Sequence, residues 1–227
     1  MKIILASLAF WILGMVPCHS QGFLNLDFES AHLSGYAQGL VPATVGIPGW
    51  NAYVSGIPDS QVLFNLKNLD DPVVTIQGTA STYLTPLQGN YSVYIQGGSP
   101  YAYGTNAGIF QTGQIPISAK SLTFWGQVGN VQLSFSGQAL SYNAIGNIGN
   151  YSIFGADISA FAGQTGELRF NVTHPGGAIL DNIQFSNSPV PEPGSLALLV
   201  AGGLLVAWRR WRRRIATNYA PPPWPCQ

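Results

Sequence analysis

Between residues 21 and 189, apolar and polar residues alternate in short segments, and glycine, proline and asparagine stand where the alternation breaks. A period of two places successive side chains on opposite faces of a β-strand, so one face of each segment is predicted to be buried. No segment in this part of the chain has the period of an amphipathic helix. The segments predicted as strands are 24–29, 50–55, 61–66, 73–77, 91–96, 107–112, 122–125, 131–136, 150–159, 167–172 and 178–186. Eleven short strands predict an all-β fold, a two-sheet antiparallel β-sandwich.

The glycine-rich stretches between these segments are predicted to be loops. Residues 126–130 read Gly-Gln-Val-Gly-Asn between two predicted strands. This pattern predicts a hairpin loop in which the glycines take positive φ. Residues 44–49 and 97–106 are predicted to be long loops at one end of the sandwich.

Residues 195–208 form an uncharged, apolar run. From Gly194 to Trp208 there are fifteen residues, which as a helix span roughly 22 Å against a hydrocarbon core of about 30 Å. Because the run has no polar face, a single C-terminal transmembrane helix is predicted; a buried helix of a globular domain and an unprocessed tail anchor are the alternatives. The arginines that follow are predicted to stay on the cytoplasmic side, with everything before residue 190 outside. This basic stop consists of Arg209, Arg210, Arg212, Arg213 and Arg214.

Residues 1–20 have the pattern of a signal peptide. Lys2 supplies the positive start, residues 3–16 the apolar stretch, and residues 18–20 a cleavage site with small residues. Cys18 also suggests a lipoprotein, although the Val-Pro pair before it fits a lipobox poorly. Since the other cysteine, Cys226, lies beyond the arginines, the exported residues 21–189 contain no thiol. Their stability is predicted to come from a packed core and not from disulfides.

The charges are distributed unevenly along the chain. Residues 21–189 contain three basic and eight acidic residues, a net charge of −5, although the whole chain is formally neutral. A mildly acidic domain with so few cations has no electrostatic surface for nucleic acid, so nucleic-acid binding is excluded as a function.

The order of proline motif, apolar run and basic stop in residues 190–214 resembles the PEP-CTERM sorting signal of exported bacterial surface proteins. The resemblance implies a partner, the integral-membrane transpeptidase called exosortase, which cuts near Pro191, Glu192 and Pro193. In this family Glu192 would be recognised and would not be catalytic. The implied location is first the inner membrane of a Gram-negative-type bacterium, and then the cell surface or an exopolysaccharide matrix. Residues 215–227 form an atypical cytoplasmic tail, because family members usually stop soon after the arginines.

Three short motifs resemble landmarks of jelly-roll domains of the carbohydrate-binding-module type. Residues 25–29 read NLDFE, residues 47–50 read IPGW, and residues 180–183 read LDNI. The family often reads NGDFE and LDDI at the first and last of these places. The resemblance implies a jelly-roll-like sandwich and a structural Ca²⁺ site with Glu29 and Asp181 as ligands. Leu26 and Asn182 depart from the family pattern at this site.

The sequence pattern itself also draws attention to Asp181. This residue is in phase with Ile179, Ile183 and Phe185, so a regular strand would turn its carboxylate toward the core. A buried carboxylate requires hydrogen-bond donors or a cation. Backbone N–H groups and Ca²⁺, which takes oxygen ligands, are therefore the two alternatives, and no other cofactor is predicted.

Aromatic residues on the polar side of strands are the candidate ligand-binding residues. Tyr94 and Trp125 share their strand faces with serine, glutamine and threonine. Exposed aromatic rings beside amides and hydroxyls are suited to stack on a sugar ring and to bond its hydroxyl groups. Tyr101 and Tyr103 in the predicted loop, and Trp50, are expected to extend this platform. The alternative is that a loop or an edge strand covers Trp125.

The exported residues show no catalytic motif. His32 and His174 lack metal-ligand spacing, and there is no nucleophile elbow and no phosphate-binding glycine motif. The sequence therefore predicts a non-enzymatic envelope protein whose sandwich binds polysaccharide or extracellular matrix. A structural or interaction protein without glycan binding is the first alternative. An envelope glycan hydrolase that uses Asp27, Glu29 or Asp181 is the second.

Overall fold

The computed structural model describes residues 22–67, 70–99 and 105–190, together with residues 204, 208 and 209. The described chain forms two β-sheets, which confirms the predicted two-sheet sandwich. All strand pairs are antiparallel except β4 and β5, which are parallel. The strands are β1 (Gly39–Pro42), β2 (Asn51–Val54), β3 (Ile57–Asp59), β4 (Gln61–Phe64), β5 (Pro72–Gly78), β6 (Tyr91–Gly97), β7 (Asn106–Gln114), β8 (Ser121–Val128), β9 (Val131–Phe135), β10 (Gln138–Leu140), β11 (Tyr142–Ile148), β12 (Tyr151–Asp157), β13 (Thr165–Thr173) and β14 (Gly177–Ser186).

One sheet has eight strands and the other has six. The order in the larger sheet is β1-β4-β5-β6-β14-β8-β12-β11, and in the smaller sheet β10-β9-β13-β7-β2-β3. The last strand, β14, therefore lies in the interior of the larger sheet between β6 and β8. A four-residue helix, α1 (Ala43–Gly46), and a single 3₁₀ turn (Ser159–Phe161) are the helical elements of the described sandwich.

The core lies between the two sheets and is rich in aromatic rings. Phe124 contacts Phe170 edge to face across the sheets at 5.3 Å between ring centroids, and Phe154 stacks on Phe124 at 5.2 Å. The buried apolar residues of this core run from Phe28 to Ile183. The described residues between 22 and 190 therefore share one hydrophobic core.

Ten of the eleven predicted strands are present. The exception is the first, because residues 23–27 form no strand and the backbone takes positive φ at Asn25 and at Phe28. Phe28 is fully buried, whereas Leu24 is 46 % exposed, so the alternation in this segment does not mark one buried face. The Asn25 side chain instead closes a local turn, in which its Oδ1 accepts the Ser30 N–H at 2.9 Å.

Two loop predictions are wrong. The segment 126–130 is no hairpin loop, since β8 continues to Val128 and the next strand, β9, belongs to the other sheet. Asn130, with φ of 55°, turns the chain across from one sheet to the other. Residues 43–46 form α1 inside a predicted loop. The strands β1, β3 and β10 were missed because they are short, and β11 was missed because its side chains are exposed or half-buried and mark no buried face.

The strands of the sandwich end at two opposite ends, which we call the exit end and the far end. The exit end holds Gln114, Ser121 and Ser186, where β7 ends, β8 begins and β14 ends. The far end holds the turn 55–56 and the residues where β13 ends and β14 begins. In the described residues no helix has the length and apolarity that a membrane crossing needs. The predicted signal peptide and nearly all of the predicted transmembrane helix lie outside the described residues.

Candidate functional site

The two aromatic residues predicted from strand phase lie on the same outer face of the eight-stranded sheet. Tyr94 of β6 pairs with Ile179 of β14, and Ile179 pairs in turn with Gln127 of β8. Trp125, two residues before Gln127, pairs with Asp181. The strand order thus brings the predicted aromatic residues and the predicted carboxylate to neighbouring positions on one surface.

Two adjoining clefts open on this face. Their volumes are ≈ 280 Å³ and ≈ 240 Å³, and they share Leu84, Gln127 and Ile179. Tyr94 lines the first cleft and Tyr151 lines the second. We call the two clefts together the outer groove. It presents a tyrosine near each end, an amide between them and an aliphatic floor.

Trp125 lines neither cleft of the outer groove. Its ring stacks on Tyr151, with 5.4 Å between the ring centroids and 27° between the planes. Trp125 therefore supports the tyrosine that faces the groove and is itself partly covered. The sequence pattern missed Tyr151, although its place at the start of a predicted strand beside Asn150 is a signal that could have found it.

Asp181 is completely buried and hydrogen-bonded. Its Oδ2 accepts the Ser92 hydroxyl at 2.6 Å and the backbone N–H of Gln88 at 2.9 Å. Its Oδ1 accepts the backbone N–H of Asn182 at 2.6 Å. These donors come from β6, from the loop before it and from β14 itself. The carboxylate thus joins the loop that covers this face to the sheet beneath.

The position of Asp181 corrects its predicted orientation toward the core. Asn182 has φ of 46°, and the pairing of β14 with β8 shifts register between Asp181 and Gln184. This bulge changes the phase of the strand, so Leu180 and Ile183 both pack in the core although three positions separate them. Asp181 lies on the opposite face, beneath the loop.

Glu29 holds the same loop from the other side. Its Oε1 accepts the backbone N–H groups of Asn90 at 2.8 Å and Tyr91 at 3.0 Å, and its Oε2 accepts the Asn90 side-chain amide at 3.0 Å. Gly89 has φ of +60°, and a Cβ there would lie within 2.4 Å of Glu29 Oε1. The positive φ favours glycine here, and a side chain at this position would also displace the Glu29 carboxylate. Glu29 and Asp181 together hold the segment 87–91. We call these two carboxylates, with the groups that they bond, the loop anchor.

The hydrogen bonds of the loop anchor can be compared with the Ca²⁺ site that the family resemblance implies. Every partner of the two carboxylates described above is an N–H or O–H donor. Backbone and amide N–H groups stabilise an anion and cannot ligate a cation. Within the described residues, no group of three or more His, Cys, Asp and Glu side chains is arranged to hold a metal. The residues present do not fit a Ca²⁺ site, and we derive no role for calcium.

Burial raises the pKa of the Asp181 carboxyl to about 6. The hydrogen bonds from Ser92, Gln88 and Asn182 oppose this increase in the pKa, and the nearby negative charge of Glu29 adds to it. Since an unfolded aspartate titrates near 3.9, the folded protein binds this proton more tightly than the unfolded chain does.

This difference predicts how stability depends on pH. Because the folded pKa is the higher one, protonation of Asp181 stabilises the folded state, and that contribution is lost as the pH rises from about 4 to about 6. The loss is expected to be about 3 kcal/mol in the free energy of unfolding. Urea unfolding across this pH range measures it, with Asp181→Asn as the reference that cannot titrate. Equal pH profiles for the two proteins would contradict the prediction.

Trp50 does not extend the aromatic platform. Only 4 % of it is exposed, and its ring lies in the core at 5.8 Å from the Phe28 ring and 6.4 Å from the Phe170 ring. Its indole N–H donates to the Asn25 carbonyl at 2.9 Å. The aromatic side chain is therefore fully used in packing, and no face of it is left for a ligand.

Several predicted site residues lie outside the described residues. These are the loop tyrosines, the sorting motif and most of the basic stop: Tyr101, Tyr103, Pro191, Glu192, Pro193, Arg210, Arg212, Arg213 and Arg214. Arg209 is described, and it is exposed and helical.

A polar cleft that the sequence pattern did not predict lies on the outer face of the six-stranded sheet. The cleft has a volume of ≈ 480 Å³ and is lined by residues that include Tyr53, Gln132, Arg169 and Asn171. The Asn171 Oδ1 accepts a hydrogen bond from the Tyr53 hydroxyl at 2.7 Å, and the Asn171 Nδ2 donates to the Gln132 Oε1 at 2.8 Å. Arg169 lies over the Tyr53 ring at 4.5 Å. These polar groups meet one another's hydrogen-bonding needs, which explains how polar side chains are accommodated on this face.

Comparison with known proteins identifies a sorting motif and a similar solved structure. Residues 189–214 match the PEP-CTERM protein-sorting motif. No curated protein matches the chain. Among solved structures, the chain is similar to a family 11 carbohydrate-binding module from Clostridium thermocellum in complex with a beta-1,3-1,4-mixed-linked tetrasaccharide. The identity is 11 % and the TM-score 0.35, over 68 % of this chain and 98 % of that one.

The motif match confirms the sorting signal that was predicted from the order of prolines, apolar run and arginines. Such a motif implies export, processing by exosortase and sorting at the cell envelope. The chain therefore carries a PEP-CTERM sorting motif, which follows an all-β sandwich.

Proposed function

We propose that the sandwich binds polysaccharide or polysaccharide-rich matrix through the outer groove, without catalysis. The observation that carries the proposal is the arrangement of Tyr94, Gln127 and Tyr151 along two joined clefts. Pyranose rings have apolar faces that stack on aromatic side chains, and hydroxyl groups that bond amides. Two tyrosines separated by a glutamine suit successive sugars of one chain.

The walls of the outer groove are held in place by the contacts already described. The loop anchor fixes residues 87–91, and the same loop contributes Leu84 to both clefts. On the other side, the Gln127 side chain donates to the Asn150 carbonyl at 2.6 Å. A groove with fixed walls loses little conformational entropy when a ligand binds.

The types of side chain that line the outer groove support binding without hydrolysis. Glycosidases require two carboxylates at the scissile bond. Among the described residues that line the outer groove there is no aspartate, glutamate or histidine. Asp181 and Glu29, which were candidates for such a role, bond the N–H groups of the loop anchor instead.

The sorting signal gives the proposed order of events. The exported protein is first held in the inner membrane by residues 195–208, and exosortase then cuts near the Pro-Glu-Pro motif. The released sandwich reaches the surface or the exopolysaccharide matrix, where the outer groove meets its ligand.

Affinity electrophoresis of residues 21–189 in gels that contain polysaccharide tests the glycan-binding proposal. The panel includes neutral glucans, galactans and the exopolysaccharide of the producing organism. Tyr94→Ala and Tyr151→Ala are each expected to weaken binding about tenfold, because each removes one stacking surface.

Tyr36→Ala is the matched control for these variants. Tyr36 is 43 % exposed and lines neither cleft, so its loss should leave the retardation unchanged. Circular dichroism would show that all three variants remain folded. A wild-type domain that no polysaccharide retards would contradict the proposal and favour a structural or interaction protein.

A further inference from the structure

The exit end of the sandwich carries an exposed apolar surface. Ile117 is 86 % exposed and follows the exposed Pro116. Pro116 lines a cleft of ≈ 480 Å³ together with the half-buried rings of Phe23 and Phe185 and the buried Ile183. The Phe23 and Phe185 rings lie 5.3 Å apart. We call Phe23, Leu26, Pro116, Ile117 and Phe185 the exit patch. Contiguous exposed apolar surfaces of this kind on a folded domain mark contact sites.

The chain leaves the sandwich at this same end. After β14, the Ser186 carbonyl accepts the Lys120 N–H at 2.7 Å, and the Ser188 carbonyl accepts the Ser121 hydroxyl at 2.8 Å. A side-chain methyl of Val190 lies 3.2 Å from the position that a Cβ on Gly155 would occupy. The folded contacts therefore continue to the residue before the Pro-Glu-Pro motif.

The length of chain between the sandwich and the apolar run is very short. Residues 191–194 separate Val190 from the start of the run at Ser195. Val190 and Ser195 are five positions apart, which is at most about 18 Å of fully extended chain. If the run is in the membrane, Val190 must lie within that distance of the lipid surface. Val190 lies beside Gly155, two residues before Asp157, which pairs with Ser121 at the exit end, so this end is also close to the lipid.

We propose that the exit patch rests on the lipid surface of the inner membrane while the chain is anchored. This inference rests on the proposed anchoring of residues 195–208. Phe23, Ile117 and Phe185 would contact the boundary between headgroups and acyl chains, as the apolar face of an interfacial helix does. Lys120, one of three cations in residues 21–189, is exposed at this end and complements anionic headgroups. The far end, toward which the outer groove opens at Gly129 and Gly177, would point away from the bilayer.

Fluorescence quenching by lipid tests this orientation in the chain from Gln21 to Gln227. Cys226→Ser removes the remaining native thiol, and Ile117→Cys then accepts an environment-sensitive dye. Ile57→Cys is the matched control, because Ile57 is 70 % exposed and lies at the far end. Each labelled protein is reconstituted into vesicles of phosphatidylethanolamine and phosphatidylglycerol with acyl chains brominated near the headgroup. Flotation of the vesicles measures anchoring independently of the dye.

The expected result is that the protein floats, the dye at position 117 loses emission in brominated vesicles, and the dye at 57 keeps its emission. If the protein floats and the dye at 117 is not quenched, or both dyes are quenched equally, the inference is overturned while anchoring stands. A third outcome is that the dye at 117 is shielded from water but not quenched by lipid, and that the protein cross-links to itself. This outcome would show that a second copy covers the patch, and it would also overturn the inference. Protein that does not float would overturn the anchoring and the inference together.

Discussion

Glu192→Gln is expected to leave most of the protein at full length in the inner membrane and to slow release of the sandwich about a hundredfold. The sorting motif places one carboxylate between two prolines, which fix the backbone on both sides of it. The neutral amide keeps the shape of the side chain and loses the charge-assisted hydrogen bonds that a recognising enzyme would make. Such bonds are worth about 2–3 kcal/mol, which corresponds to about a hundredfold slower processing. Immunoblots of membrane, surface and medium fractions measure the effect.

Glu167→Gln is the matched control for this prediction. It makes the same chemical change on the sandwich, where Glu167 pairs with Arg169 at 2.7 Å and both side chains are 33 % exposed. A partly exposed ion pair contributes little to stability, so folding and release should remain normal. Unchanged release of the Glu192 variant would show that the carboxylate is not read, and the proposed sorting step would need another recognition element.

The second large effect is expected at the loop anchor. Asp181→Ala should lower the free energy of unfolding by about 2–3 kcal/mol, because three buried or partly buried donors lose their acceptor. These donors are the Ser92 hydroxyl and the N–H groups of Gln88 and Asn182. Urea unfolding at pH 7 measures the loss. The same variant should weaken retention on polysaccharide gels, since the wall of the outer groove is no longer fixed to the sheet.

Asp59→Ala provides the comparison for the loop anchor. Asp59 is exposed, and its carboxylate accepts one local hydrogen bond, from the Gln61 N–H at 2.9 Å. Its loss should cost less than about 1 kcal/mol, as for other exposed turn residues. Equal destabilisation by the two substitutions would mean that the buried carboxylate contributes no more than a solvated one.

The sandwich could be predicted from the sequence because its strands have one buried and one polar face. In β9, for instance, Val131, Leu133 and Phe135 are all buried, as their alternation with polar residues requires. The same rule failed for Asp181, since a positive φ at Asn182 changes the phase of the strand in a way that side-chain alternation does not encode. The first predicted strand failed for a related reason, because its backbone turns at Asn25 and Phe28.

The candidate site could be predicted only in part. Strand phase identified Tyr94, which lines the outer groove, and placed Trp125 on the correct face. It could not separate a ring that lines a cleft from one that supports another ring, as Trp125 does for Tyr151. Trp50 was misplaced because a buried indole and an exposed one have the same local sequence signal. Burial of large aromatic residues is decided by distant elements, here by Phe28 and Phe170.

The sheet order has a consequence for how an exported chain of this kind acquires its structure. Because β14 is inserted between β6 and β8, the larger sheet remains in two separate halves until residues 177–186 have crossed the bilayer. The hydrogen bond of the Leu26 carbonyl also depends on this strand, since the carbonyl accepts the N–H of Ile183 at 2.9 Å. Translocation delivers residues 177–186 last among the strands, immediately before the apolar run. If the apolar run halts export, as proposed above, the fold is completed at that moment.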